Sequence, residues 1–169
     1  MAKKGEVILR VKDLCKNFGV TVALDHVDME IRRGEIRGLI GENGSGKSTA
    51  TSIIAGLQPA TKGEIFYKGN PWKPANSLEA IKNGISIIVQ EAGTISNITV
   101  AENIFLGNYD KFKTGPFISK RKMIIAAQRV LDQFGIEGIN PAMPARMYNL
   151  EQRKLIEIAR TMAIDPEIF

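Results

Sequence analysis

The run Gly41-Glu42-Asn43-Gly44-Ser45-Gly46-Lys47-Ser48-Thr49 contains the pattern G-x-x-x-x-G-K-[ST], and each residue type in it has a chemical reason. Glycines let the backbone curl until successive N–H groups point inward, where they cradle phosphate oxygens. A helix opening at this point adds free N–H groups and the positive end of its dipole. Lys47 supplies a mobile cation for β- and γ-phosphates, and Ser48 a hydroxyl ligand for Mg²⁺. A glycine-rich turn with an incidental lysine would share the composition but not the setting. A short, mostly apolar run, Ile36 to Ile40, precedes the loop, and a helix-like run, Lys47 to Ala55, follows it.

The elements around the loop follow from periodicity. Val7 to Val11 alternates and is rich in branched side chains, which predicts a strand. Val27 to Ile31 alternates apolar with acidic and predicts a half-buried strand. Ile36 to Ile40 and Ile85 to Val89 are short apolar runs suited to buried parallel strands, the second ending at Gln90. Lys62-Gly63 predicts a turn and Glu64 to Tyr67 a short strand. Ser77 to Asn83 predicts a short helix, with Ser77 to cap it and Gly84 to close it. Thr99 with Glu102 is a capping-box pattern, and Asn108 to Ile118 predicts a loop. Met123, Ala127, Val130 or Leu131, and Phe134 fall at helical spacing, so Lys120 to Phe134 predicts an amphipathic helix. Leu155, Ile158, Ala159 and Met162 repeat that spacing in a last helix. Strands feeding helices imply an α/β fold.

Composition narrows the class. The chain has 169 residues, 44% hydrophobic and 24% charged, which suits one globular domain and excludes disordered, collagen-like and disulfide-scaffold chains. One cysteine, Cys15, cannot form an internal disulfide, so a reducing compartment is expected. No apolar core of a signal peptide follows the first residues, and no run approaches the ~18 apolar residues of a membrane span. The net charge of +5 attracts anions. The basic residues lie in short clusters, such as Arg32-Arg33 and Lys120-Arg121-Lys122, rather than in a stripe interleaved with aromatics. That distribution predicts solvated surface and no nucleic-acid partner. The sequence closes on Asp165-Pro166-Glu167-Ile168-Phe169, a turn and the first residues of an apolar strand, so truncation inside a domain is expected.

The stretch Ala23-Leu24-Asp25-His26-Val27-Asp28-Met29-Glu30-Ile31-Arg32-Arg33-Gly34-Glu35, running directly into the phosphate loop, resembles the ATP-binding cassette, the nucleotide-hydrolysing subunit of ABC transporters. The resemblance covers essentially the whole chain. Gln90-Glu91, then Thr99 to Gly107, then Glu157-Ile158-Ala159-Arg160 are similar to the cassettes of carbohydrate importers of the ribose, galactoside and xylose type.

This resemblance implies a P-loop NTPase core with an antiparallel β edge, a helical subdomain and an incomplete central sheet. Residues 1–90 would form the nucleotide-binding core with its β subdomain, 91–163 the helical subdomain and signature region, and 164–169 the start of the Walker B strand. ATP and Mg²⁺ are the implied cofactors. Phe18 would stack on adenine, a contact worth ~1–3 kcal/mol by analogy with base stacking. Gln90 would reach the Mg²⁺ and the attacking water, joining Lys47 in catalysis and Ser48 as a metal ligand, and would couple the site to the membrane subunit. Phe105 and Leu106 would be docking or core residues.

The family signature Leu-Ser-Gly-Gly-Gln is matched by Tyr148-Asn149-Leu150-Glu151-Gln152 and is therefore degenerate. Asn149 retains a hydrogen-bonding group, whereas Glu151 replaces the glycine that lets backbone approach the γ-phosphate on an opposing cassette. Glu151 also suits a helix start, where an acid meets the dipole. The implied partners are a second cassette (fused or separate), a membrane permease subunit and a periplasmic-type binding protein, with the chain peripheral at the cytoplasmic face of the membrane. The Asp, Glu and distal His that complete the family's hydrolytic site have no match in these residues, so the chain is expected to bind nucleotide without turnover. His26, the sole histidine, matches no catalytic position and reads as structural or surface.

Other readings fit less. A GTPase would want an Asn-Lys-x-Asp run, which the sequence lacks, and a kinase has no reason for the Gln90 segment. Repair or chromosome ATPases split the cassette with coiled-coil or zinc inserts, but here the Lys47 to Gln90 to Tyr148 spacing is uninterrupted. A nucleotide-binding module without hydrolysis remains as the non-enzymatic alternative.

Overall fold

The computed structural model describes residues 5–88 and 93–169; Val89 and Gln90, the expected end of the second buried strand, lie outside the described residues. The chain groups into two compact units, one running to Ile87 and including Ile168, the other comprising Ile88–Glu167 with Phe169.

In the first unit, β1 (Val7–Phe18) and β2 (Thr21–Arg32) form a long antiparallel hairpin. Both strands outrun the short alternating stretches visible in the sequence, and the register explains why. Between the pairs Val11↔Met29 and Leu14↔Val27, Lys12 and Asp13 stand opposite Asp28 alone. Between Leu14↔Val27 and Lys16↔Leu24, Asp25 and His26 stand opposite Cys15 alone. Each of these bulges inserts one residue and reverses the inward–outward phase, and the register also slips between Val7 and Leu9 and between Lys16 and Asn17, so no strict period of two runs the length of either strand. The sheet continues with β3 (Lys62–Tyr67) and β4 (Asn70–Pro71) in the order β2-β1-β3-β4, antiparallel throughout.

Helix α1 (Lys47–Ile54) buries Ala50, Ile53 and Ile54 in the same core as Leu9, Val11, Leu14, Leu24 and Ile65. Trp72 fixes the helix end: its Nε1–H donates to the Ile54 carbonyl at 2.9 Å, and its ring meets Tyr67 edge-on at 5.1 Å. Helix α2 (Ser77–Lys82) starts one residue earlier than expected in its capping. Asn76, not Ser77, is the N-cap, its side chain accepting from the Glu79 N–H at 3.0 Å.

Ile36 to Ile40 is not a strand. Ile36 and Ile40 are fully exposed, at 101% and 99%. A parallel strand is held by neighbours that take up its N–H and C=O groups and cover its faces, and among the described residues none runs alongside this segment. Ile85 to Ile88 likewise shows only one parallel bridge, Ile85 to Ile168, in which the Ser86 N–H donates to the Ile168 carbonyl at 2.9 Å.

The second unit is mostly helical: α3 (Val100–Ile104), α4 (Lys120–Gln133) and α5 (Leu150–Met162), with a small hairpin of β5 (Lys113–Thr114) and β6 (Phe117–Ile118). The Thr99–Glu102 capping box is present in full, and the Thr99 N–H holds the Glu102 carboxyl below its ordinary range. Met123, Ala127 and Leu131 line the buried stripe of α4. Phe134 lies outside that stripe, being half-exposed where the helix ends. On α5 the fully buried positions are Ile156 and Ala159, while Leu155 packs beside them only partly buried. Phe105 belongs to this core, edge-on to Phe112 at 4.6 Å, whereas Leu106 is partly exposed. No helix among the described residues is long and apolar enough to cross a membrane.

Candidate functional site

The glycine-rich loop of residues 41–46 leads straight into α1, as its residue types require. Gly46 is the N-cap of α1 and sits at φ 85°, a left-handed conformation that side chains rarely adopt. A Cβ there would strike the Ala23 carbonyl oxygen and approach Leu24 Cδ2 to 2.6 Å, so the loop is seated directly on β2. Having no side chain, Gly46 leaves the first turn of α1 without a side-chain cap, and no acidic residue stands in that turn. The leading N–H groups and the dipole of α1 are thus available to an anion.

Lys47 lies within this arrangement. Its Nζ donates to the Gly41 carbonyl at 2.8 Å, to the Glu42 carbonyl at 2.7 Å and to Ser45 Oγ at 3.2 Å, so the ammonium spans the loop. The Ser45 N–H donates to the Glu42 carbonyl at 3.2 Å, tightening the turn. Ser48 is exposed, Thr49 is half-buried with its carbonyl accepting from Gln58 Nε2 at 3.4 Å, and Asn43 and Gly44 are exposed on the rim. Uncapped helix amides, one ammonium and one hydroxyl within a few residues form a donor set matched to a polyphosphate with a hard divalent cation.

Phe18 ends β1, paired with Thr21 across the hairpin tip. Its ring is 50% exposed. Lys16 Nζ stands 5.0 Å from the ring centroid and donates to the Pro59 carbonyl at 2.7 Å. Lys16 carries no motif in the sequence; it stands two residues before Phe18 on β1, where strand alternation places both side chains on one face. Gln90 lies outside the described residues.

The signature positions fall at the start of α5. Asn149 is the N-cap: its side chain accepts from the Gln152 N–H at 2.9 Å, and Gln152 Oε1 accepts from the Asn149 N–H at 3.2 Å. Tyr148 Oη accepts from the Asn140 N–H at 2.8 Å. Glu151 occupies the first turn, where the helix dipole favours an acid, and Leu150 is largely exposed. Further along α5, the Arg160 Nη1–H donates to the Gly93 carbonyl at 2.9 Å, and Glu157 accepts from the Gly93 N–H. Burial lowers the Arg160 pKa, with Glu157 opposing the shift.

The family description "ABC transporter" matches residues 24–169, from the β2 segment under the loop to the last residue. The chain belongs to the ABC transporter family. As an ABC cassette it has close relatives of known naming. It is 38% identical over 155 residues to the ribose import ATP-binding protein RbsA of Yersinia pestis, covering 92% of this chain and 30% of that protein. It is 36% identical over 163 residues to the arabinose import ATP-binding protein AraG of Chromohalobacter salexigens, covering 96% of this chain and 32% of that one. The chain therefore spans about a third of the length of these relatives. Among solved structures, a nucleotide-free ATP-binding cassette from an ABC transporter superposes with a TM-score of 0.79 at 27% identity, covering 95% of this chain and 66% of that one. The ADP conformation of the cassette MJ1267 superposes equally well, with a TM-score of 0.79. The fold is accordingly that of a P-loop NTPase cassette, and ATP is the family's nucleotide.

Proposed function

We propose that this chain is the ATP-binding portion of an importer for a sugar or similar small carbohydrate, in which ATP binding and hydrolysis drive uptake. The observation that carries the reading is the uncapped N-terminus of α1 with Lys47 spanning the loop before it. The names of the relatives, ribose import and arabinose import, support the substrate class.

In this reading the amides of residues 44–48 and the Lys47 ammonium hold the β- and γ-phosphates. Ser48 is the Mg²⁺ ligand on this loop, and Gln90 is the second, also placing the attacking water. Bound Mg²⁺ neutralises developing charge on the phosphates; the protein's own share is to position and to stabilise electrostatically. No Asp-Glu pair stands anywhere in the 169 residues, so the isolated chain binds nucleotide but does not sustain turnover. Asn149, with Tyr148, Leu150, Glu151 and Gln152, forms the signature segment presented to a second cassette. Glu151 weakens that composite site, since a carboxylate repels a γ-phosphate. The remaining partners are a membrane permease, which places the cassette at the cytoplasmic face, and a periplasmic-type binding protein.

Calorimetric titration of the chain with a non-hydrolysable ATP analogue and Mg²⁺ tests the core of this reading. Saturable one-to-one binding supports it, and no heat at millimolar analogue refutes it. The carbohydrate assignment is tested separately in the parent organism. Disrupting the gene should abolish growth on one pentose or hexose and leave growth on a non-carbohydrate carbon source intact. Phe18→Ala is expected to weaken the analogue by about 5- to 150-fold, the ~1–3 kcal/mol of a base stack. Phe18→Trp should retain binding. Equal affinities for all three proteins would remove Phe18 from the site.

A further inference from the structure

Two adjacent bulges of the β1–β2 hairpin assemble a second group of ligating side chains that the nucleotide site does not use. Cys15 Sγ, an Asp25 carboxylate oxygen and a His26 ring nitrogen all lie within 4.8 Å of one another, the one such group of three among the described residues. Consecutive residues of a regular strand point to opposite faces. Asp25 and His26 converge only because both stand opposite Cys15 in the bulge, with His26 at φ 48°. The bulge opposite Asp28 supplies Asp13, at φ 53°, whose Oδ1 pairs with His26 Nδ1. His26 Nε2 faces the other way, 3.7 Å from Asp25 Oδ1. The Cys15 thiol is buried, accepting from the His26 N–H at 3.4 Å.

We propose that Cys15, Asp25 and His26 form a binding site for a divalent transition-metal ion of the Zn²⁺ class, with Asp13 orienting the imidazole. The donor types select the ion. One thiolate, one imidazole and one carboxylate suit borderline-soft Zn²⁺, whereas Mg²⁺ and Ca²⁺ take oxygen ligands. The partner geometry agrees. Metal-binding histidines typically give their second ring nitrogen to a carboxylate, which fixes the tautomer and raises ligand basicity. Asp13 on Nδ1 leaves Nε2 directed toward Asp25. The distances require little adjustment. Ligands ~2.0–2.3 Å from a tetrahedral zinc stand roughly 3.3–3.8 Å apart, and the exposed Asp25 and His26 side chains, at 79% and 67%, can rotate that far. Three protein ligands leave a fourth position for water.

The test is a titration of the tag-free, nucleotide-free 169-residue chain with Zn²⁺ against a chromophoric chelator, and with Co²⁺ followed by absorbance, under a non-chelating reductant. One equivalent of Zn²⁺ is expected to bind, undisplaced by excess Mg²⁺. Co²⁺ should give a thiolate-to-metal charge-transfer band with the intense visible bands of a tetrahedral site. His26→Gly and Cys15→Ser should each lower Zn²⁺ affinity by at least about tenfold, and Asp13→Asn by about tenfold. Glycine adopts the left-handed conformation at position 26 freely, so His26→Gly folds even if Cys15→Ser does not. Absence of stoichiometric binding, absence of the thiolate band, or Zn²⁺ affinity unchanged in both His26→Gly and Asp25→Asn would overturn the proposal. Binding of the ATP analogue is measured in a separate titration, so either reading can fail without the other.

Discussion

Lys47→Ala is expected to weaken binding of a non-hydrolysable ATP analogue by about 30- to 1,000-fold. The ammonium's position sets this magnitude. Its three donors converge on Gly41, Glu42 and Ser45, which sets the cation inside the turn that precedes the α1 N-terminus. Hydrogen bonds to charged groups contribute ~1.5–3 kcal/mol each, so losing one or two to phosphate costs about 2–4 kcal/mol, the range stated. Folding stability should change little, because Gly41 and Glu42 are exposed and water replaces the ammonium at their carbonyls. Lys47→Arg should rescue only partly, since a planar fork cannot occupy the position of a compact ammonium. Calorimetric titration measures the affinity, and circular dichroism verifies the fold. An affinity within threefold of the parent, with the fold intact, would sink the assignment of Lys47 to phosphate.

The largest effect on stability is expected at Asn103. This side chain on α3 is completely buried, at 0% exposure. Its Nδ2 donates to the Ile95 carbonyl at 2.9 Å and the Thr99 carbonyl at 3.0 Å, while its Oδ1 accepts from the Ile95 N–H at 2.8 Å and from Arg160 Nη2 at 3.1 Å. The Arg160 Nε–H in turn donates to the Asn103 carbonyl at 2.7 Å. One amide thus joins the 95–99 segment, α3 and α5. Asn103→Leu has nearly the same volume but strands the Ile95 backbone groups and one guanidinium donor. Each buried unsatisfied group costs ~1–3 kcal/mol, so the total is about 3–5 kcal/mol, comparable with the whole stability of a marginal domain. Urea denaturation of the full chain measures it, and a loss below about 1 kcal/mol would show that water or side-chain movement satisfies these groups. Arg160→Met should lose less, since it leaves the Asn103 amide with its Ile95 and Thr99 partners.

Neither prediction depends on the same kind of information. The loop around Lys47 was legible from nine contiguous residues, because its curl, its cation and the helix start lie close together along the chain. Capping was legible for the same reason at Thr99 and Glu102, where donor and acceptor are three residues apart. The family was legible too, and its description matches residues 24–169. Capping by Asn76 was missed only because adjacent Ser77 offers an equivalent oxygen, and the backbone decides between them.

Asn103 and Arg160 were not legible as a buried pair. Their partners lie up to 57 residues away, and a polar residue in a helical run ordinarily faces water. The same limit hid the convergence of Asp13, Cys15, Asp25 and His26. Alternation places side chains on a face only until a bulge reverses the phase, and the bulges of this hairpin are set by cross-strand register. Ile36 to Ile40 shows the limit from the other side. Its apolar run fits a buried strand, but a parallel strand exists only where neighbours take up its backbone groups. The sequence alone therefore determined the family and the glycine-rich loop that opens α1, which are written in contiguous residues. The tertiary structure decided which polar side chains are buried, which strands bulge and which ligands meet. Those outcomes depend on pairing energies between residues that sequence distance does not encode.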